Sequence, residues 1–266
     1  MLSPVTAVRF DRRISSGRTV PSAMACIKDD GTEVELVVKL RAGCEMKNRS
    51  LLAEALAAAL AADLDLPCPE PFLVMIEAPF AGSITDAEIR TRAQASLGWN
   101  FGSMKLPPGF STIAKGRSLP ASLLQVAAEI LAFDTFIANP DRTVDNPNCL
   151  SNGRDLAIYD HELAFFTEGS LGWKPPWEQG AVQFPKGIPA QNRHVFLDQL
   201  RGKPLDLRRL TGAIEGITAD RLVAYRSAIP RDWLGDGQAI ERIIGYIGML
   251  RENVTAAACN LCEALR

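Results

Sequence analysis

The stretch from Ser118 to Glu162 constrains the fold more than any other part of the chain. Pro120 stands at a helix start, and Leu123, Leu124, Ala127, Ile130 and Leu131 recur at helical spacing up to Asp134. This predicts a buried helix that delivers the chain to a polar loop at Asn139-Pro140-Asp141. Cys149-Leu150, the Asn152-Gly153 turn and Leu156-Ala-Ile-Tyr159 then predict a hairpin. A helix, a loop and a hairpin in that order bring Asp160, at the end of the second strand, close to Asp141. Asp134 lies on the helix's apolar face, where it is expected to cap or hold the loop.

The 266 residues suffice for one large domain or two lobes. Val5–Phe10 and Glu33–Leu40 read as strands, the Asp29-Asp30-Gly31 signal as a tight turn, and Phe72–Ile76 as a further strand. A helix is expected from Asn48 to Asp63, stopped by Leu66-Pro67-Cys68-Pro69. Thr85–Ala95 reads as a helix and the segment from Gly98 to Leu106 as a strand. Beyond residue 190 the pattern is helical: 195–200, 207–213, 219–227 and 238–265. These shifts predict an α+β architecture of two lobes, a strand-rich one over 1–104 and a mostly helical one over 105–266.

Composition matters mainly for what it excludes. A formal net charge of −2 gives no general electrostatic pull toward nucleic acid, so no direct nucleic-acid partner is expected. No apolar run reaches bilayer length, so no membrane partner is expected either. The opening MLSPVTAVRFDRRISSG has no apolar signal region, which predicts a cytoplasmic location with the six cysteines reduced. Two histidines leave little for a histidine metal centre or a serine hydrolase. Cys259-x-x-Cys262 has no second pair and reads as two small residues on one helix face.

The chemistry is carried by Asp141, Asn146 five positions on, and Asp160. A carboxylate beside an acceptor hydroxyl, and an amide and a carboxylate oxygen for Mg²⁺, suit phosphoryl transfer, which is mostly positioning and charge neutralisation. Asn148 and Asp145 are rival ligands. Arg142 either neutralises Asp160 or braces the loop. Lys39 follows Glu35-Leu-Val-Val on a strand and is the candidate cation for the nucleotide phosphates. Glu54 is the one charge on the helical stripe Leu51, Glu54, Ala55, Ala58, Ala62, so it either pairs with Lys39 or lies at the stripe's margin facing solvent. Ser15, Ser16 and Gly17 lie between two strands; they form either a plain hairpin turn or a small-residue loop over phosphate oxygens. The Trp173, Trp177, Phe184 segment either contacts substrate or is an irregular loop pinned by its aromatics.

These residues resemble the HipA-like kinases, particularly their short single-domain branch. The matching features are Val38-Lys39, Arg49-x-Leu51-x-x-Glu54, Leu66-Pro67-x-Pro69, Asn139-x-Asp141-Arg142-x-x-x-Asn146-x-Asn148, Ile158-Tyr159-Asp160-His161-Glu162 and Ile229-Pro230-x-x-Trp233. The resemblance implies a bilobal protein-kinase-like fold, ATP with Mg²⁺ and phosphorylation of a protein hydroxyl. It makes Lys39 the phosphate-binding lysine, paired with Glu54. Asp141 becomes the catalytic base, and Asn146 and Asp160 the metal ligands. It places Ser15, Ser16 and Gly17 over the phosphates, and Met104 to Leu106 at the hinge to adenine. Two departures stand out. The chain is expected to be too short for the extra N-terminal subdomain of the toxin members, and Thr143 stands where their catalytic loop usually has histidine. A toxin role, an antitoxin partner and DNA association are therefore not carried over. The expected function is an ATP-dependent kinase acting on protein Ser/Thr. A small-molecule or lipid-headgroup kinase and a non-catalytic nucleotide-binding module are the rivals.

Overall fold

The computed structural model describes residues 2–14, 19–116, 118–165, 172–185, 187–235 and 237–266. The chain is α+β, with a strand-rich N-terminal region and a mostly helical C-terminal region. Strands β1 (Ser3–Arg13), β2 (Ser22–Ile27) and β3 (Glu33–Lys39) run as an antiparallel meander. Helix α1 (Asn48–Asp63) follows, then β4 (Pro71–Ile76), the short helices α2 (Ala78–Ser83) and α3 (Ala87–Gln94), and β5 (Gly98–Met104). The five strands close into a barrel in the order β1-β2-β3-β5-β4. Closure depends on parallel pairing of Ser3–Thr6 with Phe72–Met75. Such a contact between distant segments carries no local sequence signal.

Strand alternation separates two faces. Val5, Met24, Leu36, Val38, Phe72 and Val74 fill the barrel interior. Gly102 belongs there for a steric reason: a Cβ at this position would lie 2.7 Å from Val74 Cγ2. The opposite face of the same strands carries Val37 and Lys39 on β3 and Phe101 on β5, with Lys39 directly across from Phe101.

Helix α1 departs from the one-stripe expectation. Ser50 through Ala61 are all buried, whereas Ala62 is exposed. Its leucines and alanines join a large core with α4 (Leu124–Phe136) and α9 (Gln238–Ala264). A helix buried all round needs apolar residues on every face, and each fully buried leucine contributes about 1.5–3 kcal/mol. Ser50 and Glu54 are the polar exceptions, and Glu54 is the one charged side chain buried with the rest.

A three-stranded sheet, β6 (Ser111–Thr112), β7 (Cys149–Ser151) and β8 (Leu156–Ile158), carries the expected hairpin, with Cys149 opposite Ile158. The remaining helices are α5 (Leu197–Leu200), α6 (Arg208–Glu215), α7 (Ala219–Ser227) and α8 (Arg231–Leu234). Among the described residues, no helix is long and apolar enough to cross a membrane.

Candidate functional site

One cavity of about 480 Å³ is lined from the barrel strands on one side and the hairpin and polar loop on the other. Lys39, Glu54, Met104, Leu106, Asp141, Asn146 and Asp160 all reach it. Ser15, Ser16 and Gly17 lie outside the described residues. Their neighbours Ile14 and Thr19 line the same cavity.

Lys39 leaves the cavity face of β3 and donates from Nζ to Glu54 Oε2 at 2.7 Å and to Asp160 Oδ1 at 2.6 Å. An unpaired ammonium this deeply buried would be costly, and two carboxylates meet it. Burial pulls its pKa down, but Glu54 and Asp160 outweigh that effect and raise it. Glu54 is also held by the His161 backbone N–H, which donates to Oε2 at 2.8 Å. Burial would push this carboxyl up; Lys39 and His161 outweigh it and bring the pKa to about 2.

Asp160 follows β8 with φ +63°, in the left-handed region that Asp tolerates better than most side chains. The bend sends Asp160 and Glu162 to the cavity and His161 to the core. The His161 ring is fully buried, edge-on to Phe133 at 5.9 Å between centroids.

Asp141 is half-buried in the loop after α4. Its Oδ2 accepts from Asn146 Nδ2 and Asn148 Nδ2, both at 2.9 Å. Burial raises its pKa, and repulsion from Asp160 adds to that against the two amide bonds. Both asparagines line the cavity, whereas Asp145 instead pairs with Lys115 at 2.7 Å on the surface.

The loop is braced from behind. Helix α4 ends with Ala138 at φ +52°, Ala138 N–H bonding Thr135 O and Asn139 N–H bonding Asp134 O. That pattern closes a helix C-terminus and turns the chain sharply. Fully buried Arg142 donates from Nε to Asp134 Oδ2 at 2.6 Å and from Nη1 to the backbone oxygens of Asn148 and Tyr159. Arg142 therefore braces the loop and is not bonded to Asp160. Asn139 Nδ2 and His194 Nε2 complete the ring around Asp134, at 2.7 and 3.1 Å. The segment after the hairpin is pinned too: Trp177 and Trp173 pack on Tyr246, at 5.3 and 6.2 Å between centroids.

His194 gives this network a pH signature. Phe196 N–H donates to Nδ1 at 3.2 Å, so Nδ1 acts as an acceptor and the ring is neutral, with Nε2–H facing Asp134. Burial lowers its pKa below the ordinary 6.5, although Asp134 opposes this. Protonation then favours the unfolded chain. The neutral ring's contribution is complete above the ordinary histidine value and is lost as pH falls below it toward the depressed folded value. Urea midpoints should fall as pH drops below the ordinary histidine value of 6.5. The slope should flatten in His194→Gln.

Glu162 closes the Ile158-Tyr159-Asp160-His161-Glu162 motif, but nothing in the sequence assigns it a role at the site. Its Oε2 is buried with no hydrogen-bond partner among the described residues, and the side chain lines the cavity. Burial, with Asp160, Glu54 and Asp141 nearby, pushes this carboxyl up to about 7 despite Lys39.

Residues 7–172 match a family model described as HipA-like kinase, and the chain belongs to that family. It is a kinase, and so a transferase. The fold is similar to that of a Helicobacter pylori proinflammatory kinase, CtkA, with a TM-score of 0.57 at 9% identity, covering 99% of this chain and 98% of that one. A mitogen-activated protein kinase of Leishmania major, LmaMPK10, aligns over 99% of this chain and 84% of its own, at 14% identity and a TM-score of 0.29. No curated protein sequence matches the chain.

Proposed function

We propose that the cavity is the ATP and Mg²⁺ site of a bilobal protein-kinase-like enzyme, with lobes 1–104 and 105–266, that transfers the γ-phosphoryl group to a protein Ser or Thr hydroxyl. The observation that carries this reading is the convergence of Lys39, Glu54 and Asp160 in one bonded cluster, in the same cavity as Asp141 and Asn146.

The residues fit a magnesium-bound nucleotide. Among the described residues, no three His, Cys, Asp or Glu side chains form a metal cage of their own. Mg²⁺ suits such a site, because it takes one or two protein oxygens and completes its shell with water and phosphate. Asn146 and Asp160 would hold the ion, which when bound neutralises charge on the phosphates. Lys39, oriented by Glu54, would meet the phosphates nearest the base. Asp141 Oδ2 is occupied by two amides, and no described residue donates to Oδ1. Oδ1 is thus the atom that would receive the acceptor hydroxyl's proton. Ile14, Val37, Phe101 and Leu150 offer apolar surface for the base. At the hinge, the N–H groups of Met104 and Lys105 are bonded to Glu70 O and Glu35 O, which leaves Leu106 N–H for its edge. Ser15, Ser16 and Gly17 would cover the phosphates.

The test is incubation with γ-labelled ATP, Mg²⁺ and cell lysate, comparing wild type with Asp160→Asn. Label is expected on protein Ser/Thr with wild type only. Label in a metabolite or lipid fraction would mean a different acceptor class. A thermal shift with ATP and Mg²⁺ but no transfer would mean a binding module.

A further inference from the structure

The cavity is unbalanced in charge. Among its described lining residues Lys39 is the one cation, set against Glu54, Asp141, Asp160 and Glu162 in its interior, with Glu45 apart on the exposed rim. Lys39 is bonded to Glu54 and Asp160 and gives nothing to Glu162 Oε2. That oxygen is buried and meets no donor among the described residues. A buried carboxylate oxygen left this way costs free energy unless something positive or hydrogen-donating reaches it. A water molecule would satisfy the lone pair but leave the charge excess unchanged.

The backbone explains why Glu162 faces this way. His161 is packed edge-on against Phe133 with its N–H fixed to Glu54, so the residues on either side, Asp160 and Glu162, share the opposite face. Asp160 offers one oxygen to Lys39 through Oδ1. Glu162 brings oxygen to the same cavity from two positions further on.

We propose that Glu162 is an additional oxygen ligand for the divalent cation that accompanies the nucleotide, beside Asp160 and Asn146. This rests on the reading of the cavity as a metal–nucleotide site. It makes a prediction that reading does not: removing the Glu162 charge weakens metal binding without weakening the fold. Magnesium sites commonly use one or two carboxylates, so a second one here adds affinity for the hard cation rather than creating the site.

The experiment is a titration of the full chain with Mn²⁺ in the presence of a non-hydrolysable ATP analogue, read by the electron paramagnetic resonance signal of free Mn²⁺. Wild type, Glu162→Gln and Asp160→Asn are compared. Disturbing even an outer partner of a metal ligand typically costs about 10–100-fold in affinity, so Glu162→Gln is expected to lose at least about tenfold. Its metal-free melting temperature should be equal to or above wild type, because the change removes an unpartnered charge. Wild-type Mn²⁺ affinity in Glu162→Gln, with affinity lost in Asp160→Asn, overturns the proposal and leaves the nucleotide site standing. Absence of both analogue and Mn²⁺ binding in wild type overturns the nucleotide reading and this inference together. Should Glu162→Gln not fold, Glu162→Asp keeps the charge but draws the oxygens back by one methylene. Undiminished Mn²⁺ affinity there overturns the proposal equally.

Discussion

Asp141→Asn is expected to lower phosphoryl transfer by about 10²–10⁴-fold, the usual contribution of a positioned general base, while leaving the melting temperature within a few degrees of wild type. The two effects separate because the two carboxylate oxygens have different work. Oδ2 is a structural acceptor for Asn146 and Asn148, and an asparagine can present its amide oxygen to the same two donors. What asparagine cannot supply is a second, basic oxygen toward the cavity. The substitution also removes a carboxylate that Asp160 repels and burial penalises, which offsets part of any lost bonding. The measurement is initial rate with labelled ATP, alongside nucleotide affinity from thermal shift. Nucleotide affinity should change little, so the loss belongs to turnover. Full activity in Asp141→Asn would remove this residue from the chemistry and point to an acceptor activated elsewhere.

How far the sequence spoke depends on the range of each interaction. The bounds of α1 were legible because alanine and leucine favour helix and Pro67 stops it. Its burial on every face was not, since that depends on α4 and α9 packing around it. Glu54 was open to two readings, and the bond from Lys39 selects the buried pair. The hairpin after the polar loop was legible from the Asn152-Gly153 turn and two apolar runs. Helices α2 and α8, of six and four residues, are too short to show a period. Barrel closure by β1 and β4 joins segments some seventy residues apart and leaves no local trace. At the site, Asp145 and Asn148 looked equivalent in a run of polar residues; only the fold shows Asp145 turned out to Lys115. Arg142 was likewise ambiguous, because its partners include two backbone oxygens, which have no residue signature.

Arg142→Met is expected to destabilise the fold by about 3–5 kcal/mol, the cost of breaking a buried ion pair from one side. The side chain is fully buried and serves three segments at once: Asp134 on α4, the backbone of Asn148 in the loop, and the backbone of Tyr159 beside Asp160. Its loss leaves Asp134 with Asn139 and His194 only, and strips both backbone oxygens of this donor. Arg142 also holds the Asp134 carboxyl well below its usual range against the pull of burial; without it burial favours the protonated carboxyl, so the variant's deficit relative to wild type should shrink as pH falls through the carboxylate range. For a chain of this size the loss corresponds to roughly 10 °C in melting temperature. Arg142→Lys should recover little of it, because one ammonium cannot reproduce the fork that spans a carboxylate and two carbonyls. The decisive measurement is the double variant Arg142→Met with Asp134→Leu. If the pair acts through mutual neutralisation, the double change should cost clearly less than the sum of the two single changes. Strict additivity would mean that Arg142 stabilises the loop through Asn148 and Tyr159 alone, with its contact to Asp134 contributing nothing net.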